Sequence, residues 1–467
     1  MTQINDIPLE LLLWVFWWYT VTSADAPLTI SSVCHTWRTL AQRTPELWTR
    51  LDLRFVREPN AQRADHSEER AMTKTRAWLK HSMTSPLDVC VTIAHAHEPQ
   101  VPGFTFLPLL APAPPPIKST LQDSPLALLL SAHLPRIGAL AVHAPAEADA
   151  REFMISLFAA PAARDAALRS LQLSVTGDSA PAPASTQVEA RTTQISPQVR
   201  DVHLSNLAVP SPWLTVAALT TLTLTRRLSA PPLATTHVLD LLELSANLQR
   251  LELHARIRER PTDASLQPAR HLTLPHLHTL ALTANNLTDL LLPLRVPALA
   301  DLALSDLDGY APWTGRGLRA FLTTRPPLRE LRLERLLALD DGTWEWCLPR
   351  LPQLRSLQMV YCAQADVVLS VLAGRGGPAH AGTSADGDAG GVVCAELRSL
   401  ALRRCPGVLA SVAPWFTASR KDVEVEIVDH GEVRGVGAES WSWSCDTPRS
   451  FDTFLRQESG YLCSLKN

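Results

Sequence analysis

One six-residue pattern, Leu-x-x-Leu-x-Leu, recurs nine times and sets narrow limits on how this chain can fold. It reads LRSLQL from Leu168, VRDVHL from Val199, LTTLTL from Leu219 and LQRLEL from Leu248. It returns as LHTLAL from Leu277, LADLAL from Leu299, LRELRL from Leu328, LRSLQM from Leu354 and LRSLAL from Leu397. Successive starts lie 31, 20, 29, 29, 22, 29, 26 and 43 residues apart. Side chains alternate between the two faces of a strand, so the last two leucines of each hexapeptide share a face. The first leucine sits in the turn that leads in. Between the hexapeptides, apolar residues recur at helical spacing, most clearly over Thr236–Ala246, Gly317–Thr324, Gln364–Ala373 and Leu409–Arg420. A strand–helix unit this small cannot bury its apolar side alone, so the units must stack into a solenoid. Leu79–Ile93 and LPRIGALAV from Leu134 begin the series in degenerate form, and VEVEIV from Val423 ends it. The expected body is an α/β array of about ten to twelve units.

Composition is consistent with that size. Hydrophobic residues make up 46% of the 467 and charged residues 19%, enough apolar surface for a large core. Lys+Arg 43 against Asp+Glu 46 leaves a net charge of -3, which gives no electrostatic footprint for nucleic acid or a membrane surface. The eight cysteines (Cys34, Cys90, Cys347, Cys362, Cys394, Cys405, Cys445 and Cys463) form no Cys-x-x-Cys pair. They read as reduced thiols of a cytoplasmic or nuclear protein. The apolar run Leu11–Tyr19 follows Asp6 and Glu10, with no Lys or Arg before it and no small-residue cleavage site after it. It is neither a signal peptide nor long enough to cross a bilayer.

The first fifty residues read as three short helical elements. Ile4–Trp17 is capped by Asn5 or Asp6, has Pro8 in its first turn and places Leu9, Leu12, Leu13, Phe16 and Trp17 on one face. Asp25-Ala26-Pro27 breaks the chain; a second helix runs from Leu28 to Arg43. Thr44–Trp48 then leads into Leu51-Asp52-Leu53, which alternates like a strand. Elements this short need something to dock on.

These residues resemble the F-box, in the variant abundant in mushroom-forming fungi. The family pattern of Leu-Pro-x-Glu-Leu-Leu, then Val-Cys-x-x-Trp-Arg-x-Leu-Ala, then Pro-x-Leu-Trp is matched in order. The matching residues are Ile7, Pro8, Glu10, Leu11, Leu12, Val33, Cys34, Trp37, Arg38, Leu40, Ala41, Pro45, Leu47 and Trp48. The Trp17-Trp18-Tyr19 cluster and the longer link to Pro27 depart from it. The hexapeptides in turn resemble leucine-rich repeats, with Asn285, Cys362 and Cys405 at the position three residues past the last apolar residue. The resemblance implies a fold of an all-α F-box module followed by a leucine-rich-repeat solenoid. It also implies a function: the module binds a SKP-type adaptor, and through it a cullin, while the repeats hold a protein target for ubiquitination. The adaptor-binding residues it implies are Ile7, Pro8, Leu9, Leu12, Leu13, Phe16, Val33, Cys34 and Trp37.

The expected layout is an F-box over 1–53, linking helices and a first degenerate unit over 54–133, the solenoid over 134–430 and a tail over 431–467. Ala111–Ser119 and Gly177–Thr186 read as Pro-rich surface loops, and 373–391 as a low-complexity insertion. That insertion lacks the Gly-Lys-Ser/Thr of a phosphate loop. His95-x-His97 and His276-x-His278 could in principle ligate a metal, but surface histidines are the simpler reading. Neither Gly-x-Ser-x-Gly nor His-Glu-x-x-His occurs, so no cofactor, metal or catalytic residue is expected. Outward positions of the middle strands are small (Thr221 and Thr223, Thr279 and Ala281, Ala303 and Ser305). Two strands differ, with Arg250, Glu252 and His254 on one and Glu330, Arg332 and Glu334 on the other; these six are the expected target-binding residues. Trp441 and Trp443 in the tail are expected to pack over the last repeat. The alternatives are a non-degradative protein-binding scaffold and a metal-dependent hydrolase.

Overall fold

The structure, a computed structural model, describes residues 7–57, 61–95, 124–158, 166–177, 198–207, 218–258, 271–309, 314–374, 393–405, 412–429 and 432–435. His97, most of the 373–391 insertion, the Pro-rich loop from Ala111, nearly all of the one from Gly177 and the tail tryptophans lie outside them.

The chain is a mixed α/β protein organised on one large sheet. Its strands, all but the last parallel to their neighbours, run in chain order from one edge to the other. They are β1 (Arg50–Arg57), β2 (Leu87–His95), β3 (Ile137–Ala144), β4 (Ser170–Val175), β5 (Asp201–Ser205), β6 (Thr221–Thr225) and β8 (Arg250–His254). After β8 come β11 (Thr279–Ala284), β13 (Asp301–Asp306), β14 (Glu330–Glu334), β15 (Ser356–Val360), β16 (Ser399–Arg403), β17 (Glu424–Asp429) and the antiparallel β18 (Glu432–Gly435). Two short pairs, β7 (Leu233–Ala234) with β9 (Ile257–Arg258) and β10 (Leu272–Thr273) with β12 (Leu294–Arg295), stand beside the main sheet. The sheet does not close into a barrel, because β1 and β18 each pair on one side only.

All nine hexapeptides are strands. Their register aligns the inward residues into two continuous rows, one of them Leu171, Val202, Leu222, Leu251, Leu280, Leu302, Leu331, Leu357 and Leu400. The row continues upstream through Leu140 and Val89 to Leu51, and downstream to Val425. A one-residue slip of any strand would turn its leucines to the polar face, so burial fixes the register.

Helices line the leucine side. They are α4 (Ala61–His81), α5 (Pro125–Ser131), α6 (Glu147–Phe158), α7 (Thr235–Glu243), α8 (Leu287–Leu291), α9 (Thr314–Leu322), α10 (Asp341–Cys347), α11 (Ala365–Leu372) and α12 (Val412–Ser419). Each of α7 to α10 packs on the next, and α11 on α12, through residues three and four apart, such as Leu287, Leu290 and Leu291, then Leu318, Phe321 and Leu322. Gly317 allows α9 to approach closely: a Cβ there would lie 3.0 Å from the Thr288 Cα of α8. Past the strands, Asn206, Arg335, Tyr361 and Arg404 adopt left-handed backbone (φ 59, 57, 53 and 53), each two residues after the last inward residue. This conformation turns the chain out of the sheet, and the hexapeptide pattern gives no sign of it.

Several boundaries differ from the sequence expectation. The first helix, α1, spans Leu9–Thr22, with Pro8 as the extended residue before it and no side-chain cap. It runs past Trp17 because Thr20 and Thr22 return their hydroxyls to the carbonyls of Trp17 and Tyr19 and nothing breaks the helix before Ser23. The expected second helix is two, α2 (Ala26–Val33) and α3 (His35–Arg43), split at Cys34, whose backbone is extended. Position 53 falls inside β1, so the sheet begins within the segment assigned to the N-terminal module. β18 likewise lies in the segment assigned to the tail. Among the described residues thirteen strands are mutually parallel: the nine hexapeptides, the three degenerate units named from the sequence (β2, β3 and β17) and β1.

Candidate protein interaction surfaces

Almost every residue of α1 is apolar, and one helix face can bury only part of them. Leu12 (5% exposed) and Phe16 (1%) take the interior positions. Leu13 packs against the core, and Phe16 meets the Trp37 ring edge-on at 4.8 Å. The remainder faces out: Leu9, Leu11, Val15, Val21 and a cluster of Trp14, Trp17 and Trp18 with centroids 6.1 to 6.5 Å apart. Trp14 is 64% exposed. Ile7, Leu28 and Val33 extend the surface, and Cys34 is half-buried beside it.

This corrects two of the expected adaptor contacts. Leu12 and Phe16 belong to the interior, because the helix must spend its most central positions on holding α1 to α2 and α3. Trp37 is half-buried and committed to Phe16. Ile7, Pro8, Leu9 and Val33 are exposed. Trp14, Trp17 and Trp18 are also exposed; the signal for this in the sequence is the excess of apolar residues over what one face can bury.

Many of the motif residues build the module. The Cys34 sulfur accepts the Trp37 N–H at 3.5 Å and starts α3. Arg38 Nε donates to the Ser31 carbonyl at 2.8 Å, tying α3 to α2, and Trp48 Nε1 donates to the Ala41 carbonyl at 2.8 Å. Trp48 in turn meets Trp78 of α4 edge-on at 4.9 Å. Lys74 of α4 reaches both the Asp25 carboxylate (2.5 Å) and the Asp52 carbonyl (2.6 Å). Arg50 Nη1 donates to the Val21 carbonyl at 3.2 Å. The exposed apolar surface is thus braced against the first strand of the sheet.

The second surface is the polar face of the sheet. Register places Arg250 level with Thr279, Asp301 and Glu330; Glu252 with Ala281, Ala303 and Arg332; and His254 with Thr283, Ser305 and Glu334. The six residues singled out in the sequence therefore form two ridges, with two strands between them whose outward residues are small apart from Asp301. They are partly satisfied internally. Arg250 bonds one Glu252 oxygen through Nε (2.8 Å) and Nη2 (2.5 Å), and Glu334 lies 4.0 Å from Arg335. Burial, followed by the charge of Arg335, pushes the His254 imidazole below its usual range.

The remaining sequence candidates are structural in their contacts. Asn285 accepts the Ile257 N–H at 2.7 Å, satisfying the turn of the preceding unit as its position implied. The Cys362 thiol donates to the Leu333 and Val360 carbonyls at 3.5 Å, and Cys405 does the same for Met359 (3.5 Å) and Arg403 (3.6 Å). Burial pushes Cys347, Cys362 and Cys394 up to about 12. At pH 8 these three should therefore alkylate about a thousandfold more slowly than an ordinary thiol until the chain is unfolded, because only the thiolate reacts. Mass spectrometry of iodoacetamide-treated native protein checks this, and rapid labelling of Cys362 would contradict it. His95 Nε2 lies 2.9 Å from the nearly buried Asp149 carboxylate, and His276 and His278 are exposed. Among the described residues no group of three His, Cys, Asp or Glu side chains converges, and no helix is long and apolar enough to cross a membrane.

No protein-family model matches the chain, and no curated protein is detectably similar to it.

Proposed function

We propose that the chain is a substrate-recognition adaptor of a cullin-based ubiquitin ligase, with an F-box-like module binding a SKP-type adaptor and a leucine-rich-repeat body binding a protein target. The observation that carries this reading is the exposed apolar surface of α1 and α2, formed in a segment that resembles the F-box in order and residue type. A contiguous patch of this kind on a folded chain marks a protein contact. On this reading the chain does no chemistry of its own. It raises the effective concentration of target lysines near a charged conjugating enzyme.

The test is co-precipitation with a SKP-type adaptor. Leu9→Glu with Val33→Glu places two charges on the exposed surface without touching the interior. It should weaken binding by more than about a hundredfold, since each desolvated charge costs well over a factor of ten. The melting temperature should stay within error. Undiminished capture by the double variant would refute the adaptor assignment.

A further inference from the structure

On the polar face, β8 and β14 carry charged side chains, and the two strands between them carry small ones apart from Asp301 at one end of β13. We propose that this trough binds an extended segment of the target bearing a Lys or Arg flanked by small residues. The inference rests on the reading of the sheet face as the target surface and deepens it. Strands are spaced about 4.8 Å apart, so the two ridges stand roughly 14 Å apart, backbone to backbone. The Arg250, Glu252, Arg332 and Glu334 side chains flank the two strands between them, a strip that follows the strand direction. An extended chain fits. Its floor is Ala281 beside Ala303, where nothing beyond a methyl group rises from the sheet.

Charge selects the occupant. Asp301 and Glu330 sit directly opposite one another on β13 and β14, a like-charge arrangement that opposes folding. Asp301 accepts the Thr279 hydroxyl at 3.3 Å. The exposed Glu330 carboxylate has no hydrogen bond or ion pair among the described residues. Arg250, which could have reached across, is held by Glu252 on its own strand. Around the trough four carboxylates (Glu252, Asp301, Glu330 and Glu334) face three guanidiniums, of which Arg250 is held by Glu252 and Arg335 lies beside Glu334; a basic side chain at the Asp301–Glu330 end therefore relieves the repulsion while an acidic one adds to it.

The experiment uses the full chain and an immobilised set of decapeptides of Ala, Ser and Gly with one central residue varied over all twenty types. Peptides with central Arg or Lys should be retained at least about tenfold over those with Glu, the factor of one net charge-assisted contact. Asp301→Asn with Glu330→Gln should abolish that preference. Ala303→Phe, which fills the floor, should abolish retention altogether. Both variants must still capture the SKP-type adaptor, which separates this inference from the adaptor assignment. Capture of the adaptor with no basic preference, with a preference the neutralised variant retains, or with no retained peptide at all would overturn the trough proposal alone. A basic preference without adaptor capture would overturn only the adaptor assignment.

Discussion

Leu302→Asp should leave the middle of the sheet unfolded, and Leu302→Ala should lower stability by about 3 kcal/mol. Leu302 is 2% exposed, and its strand neighbours in the inward row are Leu280 and Leu331. Truncating a buried leucine removes its transfer free energy and leaves a cavity, together about 2–5 kcal/mol. A buried aspartate adds desolvation of a carboxylate with no partner within the leucine rows, which exceeds the 5–15 kcal/mol holding a typical domain together. Ala303→Asp is the control, one residue along and on the polar face. It should cost far less than aspartate at 302, because the half-buried position leaves the carboxylate within reach of water. Urea titration followed by far-UV circular dichroism distinguishes the two. Equal losses at 302 and 303 would mean the face assignment is wrong. In a stacked array the loss need not be all-or-none, so Leu302→Ala should broaden the transition as well as shift it.

Trp78→Ala should detach the N-terminal helices from the sheet at a cost of about 3–5 kcal/mol. Trp78 is fully buried, its indole N–H reaches the Arg50 carbonyl at 2.8 Å, and Lys74 lies 5.1 Å from its ring centroid. The alanine variant loses the ring packing against Trp48 and leaves the carbonyl at the start of β1 without that donor. Trp78→Phe keeps most of the packing and loses only the hydrogen bond, so about 1 kcal/mol is expected. Limited proteolysis should show new cleavage between Arg43 and Arg57 in Trp78→Ala alone. A wild-type digestion pattern and an unchanged melting temperature would show that the module is held some other way.

The sheet was legible because its signal is periodic and redundant. Any one Leu-x-x-Leu-x-Leu could be chance, but nine with helical stretches between them leave little other way to bury the leucines. Strand β1 was legible as a strand, but its pairing with β2 was not, since nothing local in Leu51-Asp52-Leu53 says what it pairs with. Short helices such as α8 and α10 went unnoticed, having too few turns to display a period. The α1 surface was half legible. Apolar residues surround the helix, so spacing alone could not say that Leu12 and Phe16 turn inward while Trp14 and Trp18 turn out. The charged residues of β8 and β14 could be named from the sequence, but which strands separate them is supplied only by register.

Register also makes the sheet behave like a ruler. Connecting segments of very different length leave every strand aligned with the one before, so their length does not set the register. Seven strand steps separate β1 from β11, about 34 Å along the sheet at 4.8 Å per step. Gain or loss of one whole unit between them would change that reach by a single step and leave every side chain on its original face. Reach and recognition can therefore vary independently: the number of units sets how far a bound segment lies from the N-terminal helices, and the outward residues of each strand set what is bound.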